Sequence, residues 1–160
     1  MLLVLFHSTA FSNCELVEKA SLAMAIHASN WSNAITTRTS SGGPYQYKTV
    51  VCKTECEVVE QLKTISRHEP GHPDANSEGN VSYPDIDKSH EHIILSAYAQ
   101  VLRQIGKTCP EKIKVIDNTT SAFIEYKQGD IKLDIFNFSA DTNLVSWARV
   151  TRSTEQIINF

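Results

Sequence analysis

The last fifty residues constrain the fold more than any other stretch. Four runs there carry β-branched and aromatic residues: KIKVID (112–117), SAFIEYK (121–127), IKLDIFNF (131–138) and LVSWARV (144–150). In the third, Ile131, Leu133 and Ile135 share one face, with Lys132 and Asp134 opposite. Gln128-Gly129-Asp130 and the segment Ala140 to Asn143 read as turns. Connections this short force antiparallel neighbours, so the pattern predicts a four-stranded meander. Such a sheet has an apolar face that needs cover. Residues 90–105 can supply it, because Ile94, Ala97 or Tyr98, Val101 and Ile105 recur at helical spacing. Ser89 stands where an N-cap belongs and Gly106 where a C′ glycine belongs.

Upstream, two more helices and one strand are expected. Residues 13–28 place Leu16 or Val17, Ala20, Ala23 or Met24 and His27 at helical spacing. TTRTSSGGP (36–44) is a loop and YQYKTVVC (45–52) a strand. Thr54 and Glu57 form a capping-box pattern that opens a helix through Val58, Leu62 and Ile65, stopped by Pro70 and Gly71. Residues 67–89 hold three of the five prolines and no apolar period, and read as a long polar loop. The expected molecule is a single two-layer α+β domain over 13–160, its meander packed on the long helix 90–105. In outline it resembles the cone-like arrangement of cystatin and NTF2-type folds, in which a curved sheet leaves a pocket at its open end. That resemblance concerns fold and says nothing of chemistry.

Charge and cysteines bear on compartment and partner. Fifteen Lys and Arg stand against 18 Asp and Glu, a net charge of −3. A chain without excess cations is a poor partner for a polyphosphate backbone, so no nucleic acid is expected. No run reaches the roughly 18 apolar residues that a spanning helix needs. MLLVLFHSTAF (1–11) has a short apolar run, and Ala10-Phe11-Ser12 fits a small-x-small cleavage site, but no Lys or Arg precedes Lys19. Residues 1–12 therefore read as a signal peptide or as an N-terminal strand. Four N-x-[S/T] triplets begin at Asn30, Asn80, Asn118 and Asn137. The four cysteines, Cys14, Cys52, Cys56 and Cys109, suit two disulfides in an exported chain, with three possible pairings. A bridge from Cys14 on the first helix to Cys109 after the third would leave Cys52 and Cys56 as a local pair.

Histidine placement is the main chemical signal. His68, His72, His90 and His92 fall within 25 residues and are interleaved with acids that include Asp85 and Asp87. Imidazole with carboxylate is a ligand set for Zn or Cu. Spacing argues against chelation. Pro70 and Gly71 break the His68–His72 helical pair, and His90 and His92 lie about 200° apart on a helix. Asp85-x-Asp87-x-Ser89-x-Glu91 opens like a calcium loop but has His90 for its glycine and Ser96 for its distal glutamate. His68-Glu69-Pro70-Gly71-His72 has the letters of H-E-x-x-H, but Pro70 and Gly71 break the helix on which that motif works, and no C-x-x-C or G-x-S-x-G occurs. Cys52-Lys53-Thr54-Glu55-Cys56, between a strand and an expected helix, resembles the C-x₃-C unit of copper-delivering thioredoxin-fold proteins. The resemblance implies a copper site with a distant His, and the meander that follows departs from it.

The leading expectation is a small exported module that binds a protein or small-molecule partner without catalysis or cofactor. Its candidate contacts are His68, His72, Asp85, Asp87, His90 and His92. Arg67 and Lys88 against six acids leave residues 67–92 at about −4 with neutral histidines, a charge that falls on their protonation. The alternatives are a metal-binding protein or metal-dependent hydrolase built on those residues, and thiol redox through Cys52 and Cys56.

Overall fold

The computed structural model describes residues 13–158 except 54, 112, 118–120, 129–130, 140–144 and 153–154, and from residue 114 onward it describes the backbone alone. The expected signal peptide, the Thr54 cap and much of the two C-terminal turns lie outside the described residues. The chain is α+β. Helix α1 (Asn13–Ser32) is followed by strands β1 (Tyr47–Cys52), β2 (Cys56–Gln61), β3 (Thr64–His68) and β4 (Asn80–Pro84). Helix α2 (Lys88–Ile105) and a 3-10 turn (Gly106–Thr108) come next. Then come β5 (Ile113–Asp117), β6 (Ser121–Gln128), β7 (Ile131–Ser139), β8 (Val145–Arg152) and β9 (Glu155–Ile158). β1 pairs with β2, β3 pairs with β4, and β5 to β9 form an antiparallel sheet in chain order. No helix among the described residues is long and apolar enough to cross a membrane.

Helix α1 is the hub. Its buried residues (Val17, Ala20, Ser21, Ala23, Met24, Ala25, Ile26, Ala28 and Asn30) run most of the way round it. A helix apolar on all sides must be covered on all sides. Here α2, β1 and β8 lie against it. Small residues on α1 and Ala99 on α2 let the two axes approach closely. Val17, Met24, Leu95, Leu102 and Ile113 fill the core beside them.

Helix α2 forms where expected, with its details shifted. Asp87, rather than Ser89, is the N-cap: its carboxylate accepts from the N–H groups of Ser89 and His90. The buried stripe is rotated by one residue. Leu95, Ala99 and Leu102 are buried, Ile94, Tyr98 and Ile105 are half-buried, and Ala97 and Val101 are exposed. The cause is that α2 packs on α1 as well as on the sheet, so two directions compete for its apolar side. Gly106 stays right-handed (φ −60°) and leads into the 3-10 turn instead of forming a left-handed cap.

Two expectations fail between the helices. No helix follows Cys52. The chain reverses there, and Cys52 and Cys56 are direct cross-strand partners. Val50 faces Val58 and Thr49 faces Val59, β-branched pairs that suit a pleated ribbon. The apparent helical spacing of Val58, Leu62 and Ile65 buries nothing, since these residues are 41%, 71% and 38% exposed. The polar loop 67–89 is also shorter than expected. Val81 and Tyr83 alternate with Ser82, are buried, and put β4 beside β3, leaving 69–79 as the loop. At the C-terminus the sheet has five strands where four are expected. The backbone of α2 lies against β6 and β8, and that of α1 against β8.

Disulfides join Cys14 to Cys109 and Cys52 to Cys56. The first closes a span of 95 residues and ties the start of α1 to the turn after α2. In the chain-entropy picture that closure stabilises by roughly 4–5 kcal/mol, against about 2 kcal/mol for the local pair.

Candidate functional site

The six expected site residues fall into two groups, and the β3–β4 hairpin separates them. His68 sits opposite Asn80 at one end of the ribbon, with His72 in the loop beyond. Pro84 sits opposite Thr64 at the other end, where Asp85, Asp87, His90 and His92 follow. Four strand steps, roughly 13 Å, lie between. His68 is exposed, and its Nδ1 lies 3.2 Å from Asn80 Oδ1. His72 Nδ1 accepts from the Asp74 N–H at 3.0 Å, and its ring meets Tyr83 edge-on. Asp85 donates its N–H to the Lys63 carbonyl, and Asp87 is occupied in capping α2. His90 is exposed in the first turn of α2, and His92 is half-buried two residues on.

These residues do not converge on a common point. Among the described residues, the acid, histidine and cysteine side chains that bring three ligand atoms together are Cys14, Cys109 and Glu111. Two of those atoms are sulfurs bonded to each other, so no thiolate is offered. The same holds for Cys52 and Cys56, which are bridged.

Around the hairpin loop a second layer of contacts fixes its shape. The Tyr83 hydroxyl donates to Glu69 Oε2 at 2.8 Å, and the Arg67 guanidinium lies 4.7 Å over the Tyr83 ring. The bond to Glu69 raises the Tyr83 phenol above its ordinary range, and burial adds to it. Asn76 Oδ1 accepts from the N–H groups of Glu78 and Asn80. Gly79 has φ +77°, and a Cβ there would meet Pro70 at 2.9 Å, so only glycine closes this turn. Asp74 accepts from Thr37 Oγ1 at 2.7 Å and from Arg38 Nε, which ties the loop to the 36–44 turn. Those two bonds, that of Thr37 first, hold its carboxyl below the usual carboxylate range.

The sequence reading missed a buried polar network between α1, α2 and β1. Glu91 is 2% exposed. Its Oε2 accepts from His27 Nδ1 at 2.7 Å and from Asn30 Nδ2 at 3.4 Å, and its charge acts on the nearby Tyr47 hydroxyl. Asn30 uses its whole side chain. It donates to the Lys48 carbonyl at 2.8 Å and accepts from the Lys48 N–H and the Tyr45 hydroxyl. Burial and Glu91 together raise the Tyr47 phenol above its ordinary range, with burial the larger cause. The signal was present: His27 on an apolar stripe needs a buried partner. Glu91 appeared as one more acid of the polar loop. The network's polar atoms are spent on joining three elements, which makes it a structural tie. It also corrects one glycosylation triplet, since Asn30 is fully buried and leaves no room for a glycan.

The chain matches no known family and no curated protein sequence.

Proposed function

We propose that the chain is a small, exported, single-domain binding module that takes a protein or small-molecule partner through the 69–79 loop. The carrying observation is that this loop is polar, exposed at Pro70, Gly71 and Glu78, and yet held in one shape. Tyr83–Glu69, the Asn76 turn and the Asp74 ties to Thr37 and Arg38 brace it from three sides. Ordering a loop before it binds removes much of the entropy cost of binding, which favours affinity. The histidines at this end, His68 and His72, are the contacts retained from the sequence reading. No cofactor is needed. Two disulfides support export, because an oxidising compartment is where they persist. In the same proposal residues 1–12 are a cleaved signal peptide, and the C-terminal sheet wraps the helices in the cone-like manner of cystatin and NTF2-type folds.

A photo-crosslinking residue at Ser77, in the loop, tests it, with one at Arg103 on α2 as control. The exported protein is expected to yield an adduct from position 77 and none from 103, and the added mass separates a protein from a small ligand. Failure to form an adduct at 77, or equal adducts at both positions, overturns the reading. N-terminal sequencing of the same material is expected to begin at Asn13, and an intact Met1 overturns export.

A further inference from the structure

We infer a second docking surface, separate from the loop: the outer edge of β2 is built to accept an extended segment of basic–apolar–apolar–basic pattern as an added strand. Backbone geometry carries the argument. Lys48 gives both its N–H and its C=O to the Asn30 side chain, so these groups point away from β2. Lys48 and Glu60 are therefore a non-hydrogen-bonded pair, and the backbone groups of Glu60 point away from β1 as well. The pattern repeats every second residue, through Val50–Val58 to Cys52–Cys56. Helix α1 closes the outer edge of β1. The outer edge of β2 presents the N–H and C=O of Cys56, Val58 and Glu60, and no strand pairs with it among the described residues.

The hairpin is prepared for such an addition. A lone two-stranded ribbon is marginal in water. This one is pinned at its turn by the Cys52–Cys56 bridge and at Lys48 by Asn30. An exposed edge without proline or lysine is a template for another strand. Side chains then select the occupant. Along β2 the order is Glu57, Val58, Val59, Glu60, with both acids exposed, Glu60 also meeting Lys48 Nζ of β1 at 3.1 Å, and Val58 41% exposed. A second copy of this chain, paired antiparallel on the same edge and centred on Val58, would set Glu57 against Val59 and Glu60 against Cys56, with no cation for either acid. A strand reading Lys-Val-Val-Lys sets cations against both acids and β-branched residues against both valines. That pattern is palindromic, so the match holds in either strand direction.

The test uses the full-length, disulfide-intact protein, labelled for amide NMR, and an acetylated, amidated hexapeptide Thr-Lys-Val-Val-Lys-Thr. The peptide is expected to bind and to protect the Val58 and Glu60 amides from exchange, while Thr-Glu-Val-Val-Glu-Thr does not. Val58→Pro removes an N–H that the hairpin ladder does not use, and is expected to weaken binding roughly tenfold with the disulfide intact. Glu57→Lys is expected to reduce binding of the basic peptide and raise that of the acidic one. The inference fails if the basic peptide does not bind, if both peptides bind alike, or if neither variant changes the preference. It also fails if the Val58 and Glu60 amides are already protected in the free protein. None of these outcomes touches the 69–79 loop, so the two surfaces stand or fall separately.

Discussion

Glu91 is the residue on which the interior depends most. A carboxylate 2% exposed is costly unless donors meet it, and His27 and Asn30 supply them, with the Tyr47 hydroxyl close by. Truncation leaves the His27 and Asn30 donors facing a gap. Glu91→Ala is therefore expected to lose about 3 kcal/mol in urea unfolding, and Glu91→Gln, which keeps the shape and one acceptor, clearly less. Tyr47 adds a dependence on alkali. Its phenol titrates above the ordinary range in the folded chain, so the folded state holds that proton more tightly than the unfolded state. The stability it contributes is complete below the ordinary phenol range and is lost as pH rises through the raised value. Chemical unfolding across that alkaline window is expected to show a fall that Tyr47→Phe diminishes. A fall of the same size in the variant refutes the assignment. The sequence hid this site for a physical reason. Its members, His27, Asn30, Tyr47 and Glu91, lie on three elements, and only packing brings them together.

At the scale of elements, legibility followed how much each segment decides locally. Helix α2 and strands β5 to β8 carry their own periodicity, and their positions read directly from it. The segment 54–68 carries two conflicting patterns: a capping box with helical spacing, and a β-branched ribbon closed by cysteines. Tertiary pairing chose the ribbon. β4 was obscured because its buried residues, Val81, Tyr83 and Pro84, are too few for a period to stand out among prolines and acids. The loop that this hairpin carries depends on Asp74. Because its folded carboxyl titrates below the ordinary range, the tie is whole above that range and is lost as pH falls through the lowered value. Amide exchange in 69–79 is expected to rise in acid relative to the α1–α2 core. Asp74→Asn is expected to raise it already at neutral pH, and exchange unchanged in the variant would show that Thr37 and Arg38 do not hold the loop.

For the molecule as a whole, the two disulfides divide the labour, and their order of reduction reads out that division. Cys109 is fully buried in the core formed by α1 and α2, whereas Cys52 lies exposed on the β1–β2 turn. Exchange requires a thiolate to reach a sulfur, so access sets the order. Under mild glutathione, intact mass is expected to show one bridge lost first, and alkylation to map it to Cys52 and Cys56. The consequences also differ. Opening the local pair releases one ribbon edge, so Cys52→Ser with Cys56→Ser is expected to cost about 1–2 kcal/mol and to leave the helix pair folded. Opening Cys14–Cys109 frees a span of 95 residues and detaches the start of the hub helix from the turn after its partner. Cys14→Ser with Cys109→Ser is therefore expected to cost roughly 3–5 kcal/mol, a large fraction of the roughly 5–15 kcal/mol by which folded domains are stable. If reduction instead begins at the buried pair, or the two double variants unfold at the same urea concentration, the helix pair is not the unit that the long bridge protects.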